Sequence, residues 1–283
     1  MRTIIEKLEG KRGQLDRRVY DANLTEAGQI PSDLTAFGLG DMLRCSLALR
    51  ETASSAPTLE SSAQRICRFL YDELRAGDGE RQCALVRCYK THAYGALDPE
   101  LQLFARTTLT NVEPPASMKC LTLVGTVGQL PSWNSRQRSR GHQAIPLPSP
   151  EMVEKAPMIS QLIKEFGMEI TSVLEPSPEI IRELAGKRHG VFHVENADGS
   201  PYIPAQDDFV RKYGIRSVVG FGGMLGTGEL FAVILFAVVP VSAAVADRFK
   251  TLALDVKAAF SRFREGNVFN QLSPYTSGLQ REQ

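Results

Sequence analysis

Residues 215–239 read IRSVVGFGGMLGTGELFAVILFAVV. Two apolar runs flank Gly226-Thr227-Gly228, and a short glycine-bearing connection between two strand-like runs predicts a β-hairpin. The second run is apolar at nearly every position, so both of its faces must be covered. Its extension to residue 241 is too short to span a bilayer and meets Pro240, so it reads as a buried strand. The glycines of GFGGMLGTG superficially suggest a phosphate-cradling loop. A dinucleotide fingerprint, however, runs from strand through glycines into a helix whose N-terminus holds the phosphate. Here a strand follows, and the glycines read as hairpin and strand-crowding residues.

The hairpin is followed by Ser242, placed to cap a final helix. Val245, Phe249, Leu252, Val256, Ala259 or Phe260, and Phe263 recur along it in steps of three and four. That spacing fits a coiled-coil seam and equally a helix packed on a sheet. Upstream, CALVRCYKTHAY (83–94), CLTLVGTVG (120–128), MEITSVLE (168–175) and GVFHVEN (190–196) read as strands. Helices are predicted over 38–55, after Thr58 with Gly77 as the terminating glycine, over 99–107 and over 205–214. The tripeptide Ser-Pro-Glu occurs at 149–151 and again at 177–179. A capping serine, a proline suited to the first helical position and a glutamate at the positive dipole end mark two more starts. The order of strands and helices describes an α+β domain built on an antiparallel sheet. Residues 1–35 read as a charged, glycine-broken helical arm outside the core, and residues 266–283 as a polar, loose tail.

The chain has 283 residues and a net charge of +1, so nothing global favours nucleic acid or an acidic membrane. Its five cysteines form no CxxC pair and no zinc-ligand spacing. With no signal-peptide pattern at the N-terminus, they are expected to be reduced thiols of a cytoplasmic protein.

Four stretches carry a resemblance: CALVRCYKTHAYGALDPELQLFAR, the run from Cys120 through PSWNSRQRSRGHQAIPLPSPEMVEKAPMISQLI, GVFHVENADGSPYIPAQDDFVRKYGIRSVVGFGG, and LFAVILFAVVPVSAAVADRFKTLALDVKAAF. Through them, residues 36–265 resemble a GAF-like (GAF/PAS-type) sensory domain, such as the input region that precedes the kinase core of bacterial sensor histidine kinases. The resemblance implies an antiparallel sheet backed by N- and C-terminal helices. It also implies a helical excursion, residues 129–190, lying as a lid over a small-molecule pocket on the other face. No phosphoacceptor helix or ATPase domain follows Phe263. A stand-alone module, or the input half of a two-protein system, is therefore expected.

The excursion opens with WNSRQRSRGHQAIPLPSPEMVEKAP (133–157). It holds the only tryptophan, Trp133, then Arg136, Arg138 and Arg140 at alternate positions, then His142. No Asp or Glu occurs between residues 114 and 150, so the segment is locally positive whatever the fold. If extended, the three arginines share a face and could hold a carboxylate or phosphate. A solvated loop paired with acids elsewhere, or a nucleic-acid clamp, remain alternatives. The ligand-binding candidates are Trp133, Arg136, Arg140, His142 and His193. His189 and His193 lie about 13 Å apart along a strand, too far to share one metal ion. Cys83 and Cys88, five apart, face opposite sides of a regular strand, so one of them with Cys120 could form a redox couple; buried inert thiols are the plainer reading. No motif identifies a cofactor. The expected function is a signal-sensing module of the two-component type. It would bind a small effector or partner and relay through terminal helices paired in a homodimer or against a separate kinase or regulator. Neither membrane nor nucleic acid is an expected partner. A cysteine-dependent redox enzyme on the same fold and a non-catalytic scaffold are the rivals.

Overall fold

A computed structural model describes residues 32–109, 113–139, 141–186, 189–263 and 268–269. The chain runs through α1 (Leu39–Ser54), α2 (Leu59–Glu73), β1 (Cys83–Ala93), α3 (Pro99–Thr107), β2 (Lys119–Gly128), β3 (Ala144–Leu147), α4 (Pro150–Glu154), α5 (Pro157–Glu165), α6 (Ile170–Leu174), α7 (Pro178–Gly186), β4 (Gly190–Val194), a π-helical turn (Gln206–Arg211), β5 (Ser217–Met224), β6 (Leu230–Ala237) and α8 (Ala243–Phe260). The strands form one sheet in the order β3-β2-β1-β6-β5-β4, antiparallel at every pairing. This is the α+β layout implied by the GAF resemblance: terminal helices back one face, and the excursion lies over the other.

The 215–239 hairpin is β5 and β6, in register from Ser217 opposite Ala237 to Met224 opposite Leu230. Successive side chains of β6 enter two cores. Phe231, Val233 and Leu235 join Ile66, Leu70, Phe249 and Leu252 beneath α1, α2 and α8. Ala232, Ile234 and Phe236 join Leu162, Ile163 and Phe192 beneath the excursion. The predicted caps hold: the side chains of Thr58, Ser149, Ser177 and Ser242 accept from the amides of Ser61, Met152, Ile180 and Val245. The apolar stripe of α8 is core, with Val245, Phe249, Leu252, Val256 and Phe260 all buried.

Other expectations need correction. Leu34 is fully buried and its amide donates to Gln82 Oε1 at 2.6 Å, so the core reaches into residues 32–35 of the span expected to be an arm; residues 1–31 lie outside the described residues. The tail over 270–283 does too. Helix α2 ends at Glu73 with Leu74 as its cap, before Gly77. The segment 168–175 holds the short helix α6, not a strand. It packs against α4 and α5 and forms no ladder with a strand, and a helical turn satisfies its own amides. Ile170 and Val173, one turn apart, are its buried anchors. Strand β3 was not foreseen; it is an edge strand carrying Pro146, a residue that only an edge tolerates.

The cysteine parity also changes. Between Cys83 opposite Ala237 and Leu85 opposite Phe236, Ala84 is an extra residue in β1. A bulge of this kind shifts the two-residue alternation by one. Ala84 and Leu85 therefore both face the excursion, while Cys83 and Cys88 both face the helices. A second extra residue, Val124, lies in β2 where Cys88 is opposite Gly125 and Tyr89 is opposite Leu123. There α2 comes down on the sheet. Gln64 bonds the amide and carbonyl of Thr126, and a Cβ on Gly125 would sit 2.7 Å from the backbone of Ala63. Gly125→Ala is expected to push α2 off the sheet and cost about 1–3 kcal/mol, read as a lowered denaturation midpoint with an unchanged denaturant slope.

Candidate functional site

The face of β1 and β6 turned away from the helices carries a cavity of about 420 Å³. Its floor is Arg87 and Tyr89 from β1, Leu121 from β2, and Ala232, Ile234 and Phe236 from β6. Its walls come from Trp133, His142 and Ile145, from residues 156–159 and Leu162 of α5 and its approach, and from residues 203–205 with Phe209. The volume and the mostly apolar lining fall within the range that small-molecule sites occupy. Trp133 forms one wall through edge-on contacts with Tyr213 at 4.7 Å and Phe209 at 5.9 Å; Phe209 in turn stands edge-on to Phe236 at 5.0 Å. Thr126 Oγ1 donates to the Trp133 carbonyl at 3.0 Å, and Asn134 Nδ2 donates to the carbonyls of Gly128 and Leu130, so the turn that presents the indole is tied to the end of β2.

The polar corner of the cavity is Arg87, which is 8% exposed. Its Nη1 donates to Tyr89 Oη at 3.3 Å and its Nη2 to Ser139 Oγ at 3.1 Å. Its Nε is buried with no hydrogen-bond partner among the described residues. His142 stands at the rim, exposed, with φ 59° directly after Gly141 at φ 75°. Two successive left-handed residues turn the chain sharply there, and only the glycine adopts that conformation without strain. Partial desolvation, and secondarily the Arg87 charge, lower the pKa of His142, which favours a neutral ring.

Of the sequence candidates, Trp133 and His142 line the cavity. Arg136 does not. It is buried against Glu60, with Nε 3.3 Å from the carboxylate, faces Asp98 at 3.6 Å, and lies over the Phe269 ring at 5.1 Å. Residues 135–139 form a turn, the amides of Arg138 and Ser139 donating to Ser135 O. The alternation that would align the arginines therefore does not arise: Arg138 is exposed, and Arg140 lies outside the described residues. His193 is not a cavity residue either. Its Nε2 is 2.8 Å from Val241 O and its amide donates to Glu165. Among the described residues no cluster of His, Cys, Asp or Glu could hold a metal. All five thiols are buried and unpaired, and none lines the cavity. Burial pushes Cys45, Cys83 and Cys120 up to about 12, and Cys67 and Cys88 also upward.

Arg87 and Tyr89 were missed. The available signal was an arginine in the middle of CALVRCYK, a strand otherwise fit for burial on both faces.

No family model matches the chain, and no curated protein does. Solved structures similar to it include a free methionine-R-sulfoxide reductase from Neisseria meningitidis in complex with its substrate, at 12% identity and a TM-score of 0.43 over 79% of this chain and 91% of that one. A phycoerythrobilin-bound GAF domain from a cyanobacterial phytochrome is 10% identical with a TM-score of 0.37, over 78% and 94%. An N-acylhomoserine-lactone-dependent LuxR-family transcription factor from Burkholderia cenocepacia is 16% identical with a TM-score of 0.34, over 78% and 93%.

The burial of Arg136 assigns it a structural task. Arg136→Ala removes the cation facing Glu60 and is expected to cost about 3–5 kcal/mol, measured by chemical denaturation, with the affinity of the cavity for a neutral apolar probe unchanged at temperatures where the variant is folded.

Proposed function

We propose that the chain is a GAF-like sensory module that binds a small effector in the cavity beneath Trp133 and reports it through the helices on the opposite face. The observation that carries this reading is the position of the cavity on β1 and β6. The residues that touch a ligand, Tyr89, Ala232 and Ile234, alternate with Cys88, Phe231 and Val233, which pack under α2 and α8. A shift of either strand is felt in both layers, because a close-packed core does not deform continuously. The effector biases the helical layer only by its differential affinity for two arrangements.

The output surface is apolar. Leu39, Leu43 and Leu47 form an i, i+4, i+8 row on α1 and are 64%, 52% and 42% exposed; Leu254 on α8 is 52% exposed. We assign this row to a second copy of the chain, with a separate kinase or regulator of the two-component type reading the pair. Five unpaired thiols suit a reducing compartment, which supports a cytoplasmic setting. Among the described residues no helix is long and apolar enough to cross a membrane. The redox-enzyme reading finds no support in the cavity, since a thiol catalyst needs an accessible thiolate.

Native mass spectrometry under gentle and then denaturing conditions tests both parts. A dimer carrying one discrete small-molecule mass is expected, and Leu43→Glu with Leu47→Glu should yield monomers that keep the mass. A strict monomer at high concentration, with and without ligand, would overturn the relay through a dimer. At 100 times its Kd the ligand should stabilise the fold by about 2.7 kcal/mol.

A further inference from the structure

Resting on that reading of the cavity, we infer that the effector is an organic monoacid, a carboxylate on an apolar aryl or alkyl body, with the carboxylate received by Arg87. The argument starts from how the fold treats its buried cations. Arg136 faces Glu60 and Asp98. Lys90, 7% exposed, faces Glu229 at 3.8 Å. Arg87 is as deeply placed, yet its partners are two neutral hydroxyls, its Nε has none, and among the described residues no carboxylate lies within ion-pair distance. It is also the one of these three that lines the cavity.

A buried charge without a counter-ion is among the costliest groups a protein can hold, and Coulombic attraction is strongest where water is excluded. An anion entering the cavity supplies the missing charge. The planar guanidinium fork matches a carboxylate in geometry as well as in sign.

The rest of the lining defines the body of the ligand. Trp133, Phe209, Phe236, Ile234 and Leu162 offer flat and branched apolar surface. Among the described residues no Asp or Glu lines the cavity, so an ammonium group would enter without a partner. The site therefore discriminates against amines and zwitterionic amino acids by leaving their charge unpaired. At the ~30 Å³ that a water occupies, 420 Å³ suits a ligand of roughly 10–20 non-hydrogen atoms.

Trp133 is the only tryptophan and stands in the cavity wall, so its emission reports occupancy directly. The purified full chain would be titrated with 3-phenylpropionate and octanoate, with the primary amide of each, and with 3-phenylpropylamine. Thermal melting would be followed in parallel. Saturable binding of the acids is expected, with the amides weaker by about 10- to 100-fold and no binding of the amine. Arg87→Met should abolish the difference between acid and amide while leaving the amide affinity in place. Without ligand it should melt at or above the wild-type temperature, because the unpaired charge is gone. Amides that bind as tightly as the acids, or a discrimination that survives Arg87→Met, would overturn the acid assignment and leave the effector reading standing. If no probe alters Trp133 emission or melting, the acid assignment falls, and the native mass spectrum decides the effector reading separately. Should Arg87→Met not fold, the contrast between acid and amide on the wild-type chain decides alone.

Discussion

The parity of β1 governs the rest of the molecule. This strand is covered on both faces, so every side chain in it must suit one of two interiors. The extra residue at Ala84 shifts the alternation once, and that single slip sends both Cys83 and Cys88 to the helices while Leu85, Arg87 and Tyr89 face the excursion. A one-residue change in register exchanges the faces of a whole strand. Without the slip, Cys83 would share the cavity side with Arg87. With it, the cavity keeps Arg87 and, with all five thiols buried elsewhere, no thiol.

The two layers have different physical characters. The helical layer is packed with aromatic rings in contact: Phe37 stacks on Phe249 at 4.9 Å, and Phe231 meets Phe260 edge-on at 5.8 Å. The excursion layer is built from short helices and turns, α4 to α7 and the π-helical turn, whose irregular inner surface leaves a gap above the middle of the sheet. Regular helices lay continuous ridges on a sheet and fill its grooves; five-residue helices such as α4 and α6 cannot, and a cavity results. The site is thus a consequence of broken secondary structure over unbroken strands, with Trp133 closing one side on Tyr213 and Phe209.

Much of this was legible locally. The hairpin, the caps at Thr58, Ser149, Ser177 and Ser242, and the core stripe of α8 follow from two- and four-residue patterns and from single side chains reaching amides three residues on. That Trp133 and His142 line the cavity agrees with their place in the excursion that the resemblance implied. The rest failed where one segment's state depends on a distant one. Residues 168–175 alternate well enough for a strand but dock as a helical turn against α4 and α5. Arg136 looks available in a stretch without acids, yet Glu60, 76 residues away, reaches it once α2 docks on β2. His193 bonds the carbonyl of Val241 across the fold.

By itself the sequence determined the α+β class, the hairpin at the heart of the sheet and the helix starts, because each of these is set by periodicity, capping and turn chemistry within a few residues; the segment that covers the second face was legible only through the resemblance to GAF-like domains. Only the tertiary structure decided which face each residue of β1 takes, that the thiols lie away from the cavity, that Arg136 faces carboxylates and that Arg87, among the described residues, faces only hydroxyls. Those outcomes depend on strand register and on charges brought together from remote parts of the chain, and neither quantity exists until the sheet has closed and the helices have docked.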